Sequence, residues 1–180
     1  MIAAIVLAAG ESKRFGQPKQ LLLLDRVLEN VRGAKLDEVI VVLGAHAADI
    51  LREVDLRGAR LVINDNFAEG MSTSIQAGLR ATRDGTEAAM IVLGDQPYVR
   101  ASTMDLLIDE FRRLRPDALV PVHQGRRGNP AIVAATVFPA VMELRGDVGF
   151  KAIAGRFRVA EVPVEDAGVL QDVDTAGDLQ

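Results

Sequence analysis

The stretch that decides the fold is Met1-Ile-Ala-Ala-Ile-Val-Leu-Ala8, an apolar run of strand length that leads directly into Ala9-Gly-Glu-Ser-Lys-Arg-Phe-Gly-Gln-Pro-Lys19. The loop contains two glycines, one proline and three cations. Glycine tolerates the dihedral angles that turn a row of backbone N–H groups toward an anion, and it lets the anion approach closely. Arg14 and Lys19 add positive charge at the same place. The stretch therefore predicts a buried strand followed by a loop that binds a triphosphate.

The alternative interpretation of residues 10–19 is a solvent-exposed loop whose cations bind no ligand. The loop has neither the three closely spaced glycines of the Rossmann fingerprint nor the terminal Gly-Lys-Ser/Thr of the Walker motif. The loop alone does not decide between these two interpretations. Features elsewhere in the chain are needed to choose between them.

The composition is that of a globular protein, since 49% of the 180 residues are apolar and 26% are charged. This length fits one domain over residues 1–180. The net charge of −4 argues against a nucleic-acid partner, and no apolar stretch reaches the roughly 18–20 residues of a membrane span. The absence of cysteine excludes disulfides and cysteine nucleophiles and is compatible with a reducing cytoplasm. We expect a cytoplasmic protein with neither nucleic-acid nor membrane partners.

Strand-like runs alternate with segments of helical spacing along the chain. Because the runs are continuously apolar, they are typical of central strands covered on both faces; they are Ile2–Ala8, Glu38–Leu43, Arg60–Ile63, Ala88–Leu93 and Ala118–Pro121. Helical spacing, with Ser72 and Ser102 as N-caps, occurs at Arg26–Gly33, Ala47–Val54, Ser72–Thr82, Ser102–Leu114 and Thr136–Leu144. The alternation predicts an α/β fold, a three-layer α/β/α sandwich with a mostly parallel, Rossmann-like sheet.

Ligands of such sheets bind beyond the carboxyl ends of the strands. Four loops are expected at that edge, and each contains glycine and polar residues: Gly10–Lys19, Asn64–Ser74, Gly94–Tyr98 and His123–Pro130. Their shared position predicts an active site there.

The loop Asn64–Ser74 fits recognition of a base or sugar, although a long capping loop is the alternative. His123 is expected to be solvated or to contact substrate.

Acidic residues at two places could hold a divalent cation. Asp95 follows a buried strand, where a carboxylate is well placed to hold Mg²⁺ against phosphate oxygens; a turn aspartate is the alternative. Asp172 and Asp174 would point to the same side of an extended segment. In the alternative interpretation, Asp174 or Thr175 caps a C-terminal helix.

Six ordered motifs, which together cover essentially the whole chain, resemble the molybdenum cofactor cytidylyltransferases, which are nucleotidyltransferases of the glycosyltransferase-A-like superfamily. The motifs are Leu7 to Lys19, Asn64 to Leu79, Gly94-Asp95-Gln96-Pro97, Arg127-Gly128-Asn129-Pro130, Arg145-Gly146-Asp147-Val148-Gly149 and Asp172-Val173-Asp174-Thr175. Guanylyl-transferring relatives usually have Leu-Ala-Gly-Gly and Cys-Asp-x-Pro where this chain has Leu-Ala-Ala-Gly and Gly-Asp-Gln-Pro. Both differences favour the cytidylyl branch.

The resemblance implies transfer of CMP from CTP to the terminal phosphate of a molybdopterin-type cofactor, with release of pyrophosphate and with Mg²⁺ as cofactor. It implies that the backbone at Leu7, Ala8, Ala9 and Gly10 contacts the base and ribose, and that Ser74 fixes the cytosine. Arg14, Lys19 and Asp95 would be catalytic, with Arg14 and Lys19 on the triphosphate. Asp95 and either Asp174 or Asp172 would hold the metal. The residues expected on the acceptor side are Gly70, Gln96, Asn129 and Pro130.

The chemistry agrees with the residue types, because attack by an ionised phosphate on an α-phosphorus needs charge neutralisation and in-line placement but no general base. CTP and the cofactor are the expected partners, together with a recipient molybdoenzyme. The alternatives are a guanylyltransferase, a sugar- or polyol-phosphate nucleotidyltransferase of the same fold, and a non-catalytic cofactor carrier or insertion chaperone.

Two departures from the family pattern stand out. Asn129 occupies the position of histidine in the usual Gly-His-Pro, which removes a titratable ring from the acceptor side. The segment between Lys19 and Asp37 is about two helical turns shorter than in relatives, roughly 10 Å of helix. A shortened first crossover is therefore expected.

Overall fold

The computed structural model describes residues 1–10 and 20–173. The eight strands are β1 (Ile2–Ala8), β2 (Glu38–Leu43), β3 (Arg60–Ile63), β4 (Ala88–Leu93), β5 (Ala118–His123), β6 (Arg126–Arg127), β7 (Ala131–Ala134) and β8 (Val159–Pro163). The five α-helices in the described part of the chain are α1 (Gln20–Arg32), α2 (Ala47–Glu53), α3 (Met71–Arg80), α4 (Ala101–Leu114) and α5 (Phe138–Val141).

All eight strands belong to one sheet, in the order β3-β2-β1-β4-β7-β5-β6, with β8 paired to β5. The pairs β1–β2, β1–β4, β2–β3 and β5–β8 are parallel, whereas β7 is antiparallel to β4 and β5, and β6 is antiparallel to β5. The predicted mostly parallel sheet is confirmed. Its parallel part places the carboxyl ends of β1 to β4 along one edge.

Helices cover both faces of the sheet, which confirms the three-layer arrangement. Alternate residues of β1 point to opposite faces, so Ile2, Ala4 and Val6 belong to one hydrophobic cluster and Ile5 to the other. The first cluster contains the buried faces of α1, α2 and α4. The second contains Ile75 and Leu79 of α3, together with side chains of α5. The sheet is thereby buried on both faces, as its continuously apolar strands require.

The observed boundaries correct several expectations. Ser72 and Ser102 are not N-caps: Gly70 and Arg100 occupy those positions in α3 and α4. The predicted helix Thr136–Leu144 is instead a 3₁₀ turn at Ala135–Val137 followed by the four residues of α5. β6, β7 and β8 were not predicted. β7 and β8 depend on pairing with strands distant in sequence, whereas the two residues of β6 form a short hairpin with the end of β5.

The first crossover contains a regular helix in spite of its short length. α1 has 13 residues and starts at Gln20, six residues before the predicted start. It buries Leu23, Leu24, Val27, Leu28 and Val31 against the sheet. Among the helices that the structure describes, none combines the length and the apolar character needed to cross a membrane.

Candidate active site

The edge at the carboxyl ends of the parallel strands brings together the loops expected to form the site. The N–H of Gly94, directly after β4, donates to the carbonyl O of Leu7 at 3.0 Å, and the N–H of Asn64, directly after β3, donates to the carbonyl O of Leu43 at 2.8 Å. Ala45 N–H donates to Ala9 O at 3.4 Å. These main-chain bonds hold the starts of neighbouring loops side by side.

The proposed base and ribose contacts lie at the end of β1. Ala8 and Ala9 are buried, Leu7 is half-buried and Gly10 is exposed, so the chain emerges from the core here. The proposed triphosphate ligands Arg14 and Lys19 lie outside the described residues. Their roles stay predictions from the sequence.

Ser74 is held at the start of α3 by the loop after β3. Asn64 is buried, and its Nδ2 donates to Thr73 Oγ1 and to Ser74 Oγ, each at 2.9 Å. Asn64 Oδ1 accepts from the N–H of Asn66 at 3.1 Å, so both ends of the amide are occupied. Since Ser74 Oγ accepts from Asn64, the Ser74 hydroxyl hydrogen is directed away from Asn64.

Gly70 precedes α3 at φ 109°, in the left-handed region that favours glycine. It packs against the distant segment at residues 146–147, whose Asp147 Oδ1 accepts from Met71 N–H at 3.3 Å and whose Gly146 carbonyl accepts from Ser72 N–H at 3.2 Å. The first turn of α3 is thus capped by the motif Arg145–Gly149.

The segments that carry two carboxylates predicted as metal ligands, Asp95 and Asp172, are bonded to each other at the end of β4. Asp95 is half-buried, and its carbonyl O accepts from the N–H of Val173 at 2.9 Å. Gln96 is buried, and its Nε2 donates to Asp172 Oδ1 at 2.6 Å. These two bonds bring Asp172 beside the loop of Asp95, although the residues are far apart in sequence. Asp174 lies outside the described residues.

The donor set at this place fits a hard cation such as Mg²⁺, because it consists of carboxylate oxygens. In the described parts of the chain, no group of three or more His, Cys, Asp or Glu side chains is arranged to hold a metal ion. Asp95 and Asp172 would therefore need phosphate oxygens and water to complete the coordination. Mg²⁺ is commonly bound in this way, through one or two carboxylates and a phosphate-bearing substrate.

A cavity of about 280 Å³ lies between α3, the sheet and the segment after α5. Its wall is mainly apolar, with Met71, Ile75, Leu93 and Phe150 among the lining residues, and Arg127, Asn129 and Lys151 supply polar groups. Asn129 lines the cavity and is joined to Pro130 by a cis peptide bond. Arg127 Nε donates to Glu161 Oε1 at 2.6 Å.

Of the four residues predicted on the acceptor side, Asn129 lines the cavity, whereas Gly70, Gln96 and Pro130 are not among its lining residues. Phe150 and Lys151 follow the motif Arg145–Gly149 directly, and Arg127 opens the motif Arg127–Pro130, so the motifs mark the region. The cavity itself arises from contacts between α3 and strands distant in sequence, which no local pattern records.

The fold is that of solved nucleotidyltransferases, among them a nucleotidyl transferase from Methanothermobacter thermautotroptrophicus with 23% identity and a TM-score of 0.82 over 99% of this chain and 94% of that chain. Residues 4–162 match the MobA-like NTP transferase domain, and the chain belongs to this family.

Curated relatives extend over nearly the same length. The chain is 30% identical to nicotine blue oxidoreductase of Paenarthrobacter nicotinovorans, over 97% of this chain and 92% of the relative. It is 29% identical to a probable molybdenum cofactor guanylyltransferase of Thermococcus gammatolerans, over 85% of this chain and 79% of the relative.

Two solved structures are similar in both fold and sequence. One is an Rv0371c homologue from Mycobacterium sp. strain JC1, with 35% identity and a TM-score of 0.87 over 98% of this chain and 92% of that chain. The other is Rv0371c of Mycobacterium tuberculosis in complex with manganese, with 31% identity and a TM-score of 0.84 over 98% of this chain and 95% of that chain.

Proposed function

We propose that the chain transfers CMP from CTP to the terminal phosphate of a molybdopterin-type cofactor and releases pyrophosphate. The observation that carries this proposal is the bonding of the segment of Asp172 to the loop of Asp95 at the end of β4, through the Val173–Asp95 and Gln96–Asp172 hydrogen bonds. In a member of the MobA-like NTP transferase family, carboxylates on two bonded segments at this edge fit a cation bound against the phosphates of a nucleotide.

The metal in this proposal is Mg²⁺, held by Asp95 and Asp172 with Asp174 as a further ligand. When bound, it would neutralise negative charge on the phosphate oxygens. The relative solved with manganese supports a divalent cation. The role that the structure supports best for the Gln96 side chain is to orient Asp172, because its amide donates to that carboxylate at 2.6 Å; its contact with the acceptor stays a prediction.

The nucleotide would bind at the end of β1, with Leu7, Ala8, Ala9 and Gly10 along the base and ribose. Ser74 would donate its hydroxyl hydrogen to the cytosine ring, since Asn64 already donates to Ser74 Oγ. Arg14 and Lys19 would bind the triphosphate.

The acceptor would enter the cavity beside Asn129 and Pro130, with Gly70 at the start of α3. Its apolar wall fits a flat ring system, and Arg127 and Lys151 fit an anionic group. An oxygen of the terminal phosphate attacks the α-phosphorus, an O–P bond forms, and the bond to pyrophosphate breaks. The attacking phosphate is already ionised, so no side chain has to remove a proton.

Pyrophosphate release tests the proposal. The full chain is assayed with CTP or GTP, in the presence of Mg²⁺ and with or without molybdopterin-type cofactor. We expect release that requires the cofactor and prefers CTP. Equal rates with CTP and GTP would overturn the cytidylyl assignment, and faster release with GTP would favour the guanylyl transfer for which the Thermococcus gammatolerans relative is named.

The variant Asp95→Ala separates an enzyme from a cofactor carrier. An enzyme should lose at least about 100-fold in kcat, because charge stabilisation in the transition state is removed, whereas a carrier should retain cofactor binding and show no turnover before or after the change. An assay of the full chain with nicotine blue as substrate tests the other activity class, oxidoreduction, which the name of the relative that is 30% identical suggests.

A further inference from the structure

The segment 164–173, which we call the strap, runs from the end of β8 across the carboxyl edge of the sheet to Asp95. It starts by extending the β5–β8 pairing, since Val164 N–H donates to Val122 O at 2.9 Å. His123 Nδ1 lies 2.8 Å from the carbonyl O of Val164, so His123 contacts the base of the strap. A 3₁₀ turn at Ala167–Leu170 follows.

Asp166 anchors the strap to the first turn of α4. Its side chain is 5% exposed; Oδ2 accepts from Arg100 N–H at 3.0 Å and from Thr103 Oγ1 at 2.6 Å, and Oδ1 accepts from Gly168 N–H at 3.0 Å. Burial raises the pKa of the Asp166 carboxyl, but these hydrogen bonds and the Arg100 charge outweigh it, and the pKa lies below its ordinary value. A buried carboxylate with three donors is a fixed point from which the strap extends.

On one side the strap contacts the loop that contains Asp95. Gly168 lies against the backbone of Tyr98, where a Cβ on Gly168 would be 2.3 Å from the Tyr98 carbonyl O. Further along the strap, Asp172 accepts a hydrogen bond from the Gln96 side chain, and the N–H of Val173 donates to the carbonyl O of Asp95. The strap therefore touches both the beginning and the end of the loop 95–98.

On the other side the strap contacts the loop that contains Asn129. The carbonyl O of Val169, whose side chain is fully buried, accepts from Asn129 N–H at 2.9 Å. A Cβ on Gly128 would lie 2.3 Å from the same carbonyl O. Residues 168 and 169, adjacent in sequence, thus contact the metal-side loop and the acceptor-side loop, respectively, through backbone that leaves no room for a side chain.

We propose that the strap is the element that fixes the loop of Asp95 and the loop of Asn129 relative to each other, with Gly168, Gly128 and Asp166 as its positioning residues. Its catalytic consequence rests on the proposed function: the two loops would hold the metal and the acceptor of one in-line reaction. A small displacement of either loop lowers the rate of such a reaction, because the reacting atoms must be closely aligned.

The variant Gly168→Ala tests this proposal, with Gly155→Ala as the matched control. A Cβ at Gly155 would meet nothing within 4 Å, so this control adds the same methyl group without a clash. Amide hydrogen exchange of the full chain is measured at Val173 and Asn129 and, as a reference, in β1. We expect faster exchange at both strap-bonded amides in Gly168→Ala, unchanged exchange in β1, and no change at any of these amides in Gly155→Ala.

Steady-state kinetics with CTP and the cofactor provide the second measurement. We expect Gly168→Ala to lower kcat about 10-fold to 100-fold, with a smaller change in the KM for CTP, because the predicted base and ribose contacts at β1 are not part of the strap. Gly155→Ala should change neither. If Gly168→Ala does not fold, Thr103→Val loosens the Asp166 anchor without a clash, and the same exchange and kcat measurements decide.

The outcomes separate the two proposals. Unchanged exchange at Val173 and Asn129, or changed exchange with an unchanged kcat, overturns the strap as a positioning element. If the unmodified protein transfers no nucleotide at all, the proposed function fails, and coupled exchange at the two amides still supports the strap as the link between the loops. Faster exchange at only one of the two amides also overturns the proposal for the strap, because an element that links the two loops must affect both amides.

Discussion

Two buried carboxylates lie at opposite ends of the parallel strands and have different surroundings. Glu38 is the first residue of β2, and Asp166 lies at the carboxyl edge; each side chain is 5% exposed. Glu38 Oε1 lies 3.4 Å from Arg60 Nε and 3.3 Å from Arg83 Nε, and Oε2 accepts from Arg83 N–H at 3.2 Å. Its two arginines are 46% and 58% exposed.

Asp166 is bonded mainly by donors of fixed geometry, namely two backbone N–H groups and a buried hydroxyl. Glu38 is balanced mainly by long, flexible, solvated side chains. Equal burial therefore does not mean an equal role: the consequence of a buried charge depends on which segments its donors belong to. The donors of Asp166 belong to α4 and to the strap, and the strap leads to the candidate site.

The largest effect is expected from Asp166→Ala. Removing the carboxylate leaves the part-buried Arg100 N–H and the buried Thr103 hydroxyl without their acceptor, so we expect a loss of about 3 kcal/mol in the free energy of unfolding. Urea titration of the full chain measures this loss. Asp109→Ala in α4 is the control, because Asp109 forms an exposed ion pair with Lys35 and should cost less than about 1 kcal/mol. Equal losses in the free energy of unfolding for Asp166→Ala and Asp109→Ala would contradict the special role of the buried carboxylate.

Acid should remove the stabilisation that the Asp166 carboxylate contributes, without a mutation. Because the pKa of Asp166 is lower in the folded chain than its ordinary value of 3.8, its charge stabilises the fold above that value, and this stabilisation is lost as the pH falls through the folded pKa. Arg100 is the charged group that faces Asp166. Urea titrations of the unmodified chain and of Asp166→Asn should give a difference that is constant near neutral pH and narrows below about pH 4. A difference that widens toward acid would show the opposite shift.

Thr103→Val should have an intermediate effect. It removes the hydroxyl that donates to Asp166 Oδ2 at 2.6 Å and keeps the shape of the side chain, so we expect a loss of about 1–2 kcal/mol. Since that hydrogen bond lowers the pKa of Asp166 in the folded chain, the acid-dependent loss should be smaller in Thr103→Val and should be complete at a higher pH than in the unmodified protein. Urea titrations across the acid range measure both, and an acid-dependent loss of unchanged size would assign the low pKa to the other donors.

The smallest effect is expected from Glu38→Gln. The amide oxygen can still accept from Arg83 N–H, and the arginines become solvated, so the change should be about 1 kcal/mol or less. kcat and KM for nucleotide transfer should not change, because Glu38 lies at the amino ends of the strands. A loss of kcat comparable to that of Gly168→Ala would remove the distinction between the two carboxylates.

β1 to β4 were predicted to the residue, β5 was predicted two residues short, and β6, β7 and β8 were missed. β1 to β4 are continuous apolar runs, and burial on both faces gives such runs a signal of their own. β7 is only Ala131–Ala134, and β8 contains Glu161 and Pro163, so neither has a local pattern. They form because β5 pairs with both. In α1, four consecutive leucines hide the helical period that Val27 and Val31 reveal.

In the candidate site, too, some residues could be found from the local sequence, whereas the contacts between them could not. Asp95 could be found because it follows an apolar strand, and Asp172 because it belongs to an acidic motif. Their meeting depends on Val173 pairing with Asp95 across the chain, which no local spacing predicts. Asp166 had only the weak signal of a turn with glycine two residues later, and the Gly168 and Gly128 contacts are purely tertiary.

Tyr98 gives the strap a spectroscopic consequence. The chain has one tyrosine and no tryptophan. That residue has its carbonyl against Gly168 and its ring 5.7 Å from the Arg26 guanidinium. Tyrosine emission of the unlabelled protein therefore arises from a single ring at the junction of the strap and the loop of Asp95. A ligand titration followed by tyrosine fluorescence therefore reports on that junction alone and needs no attached probe.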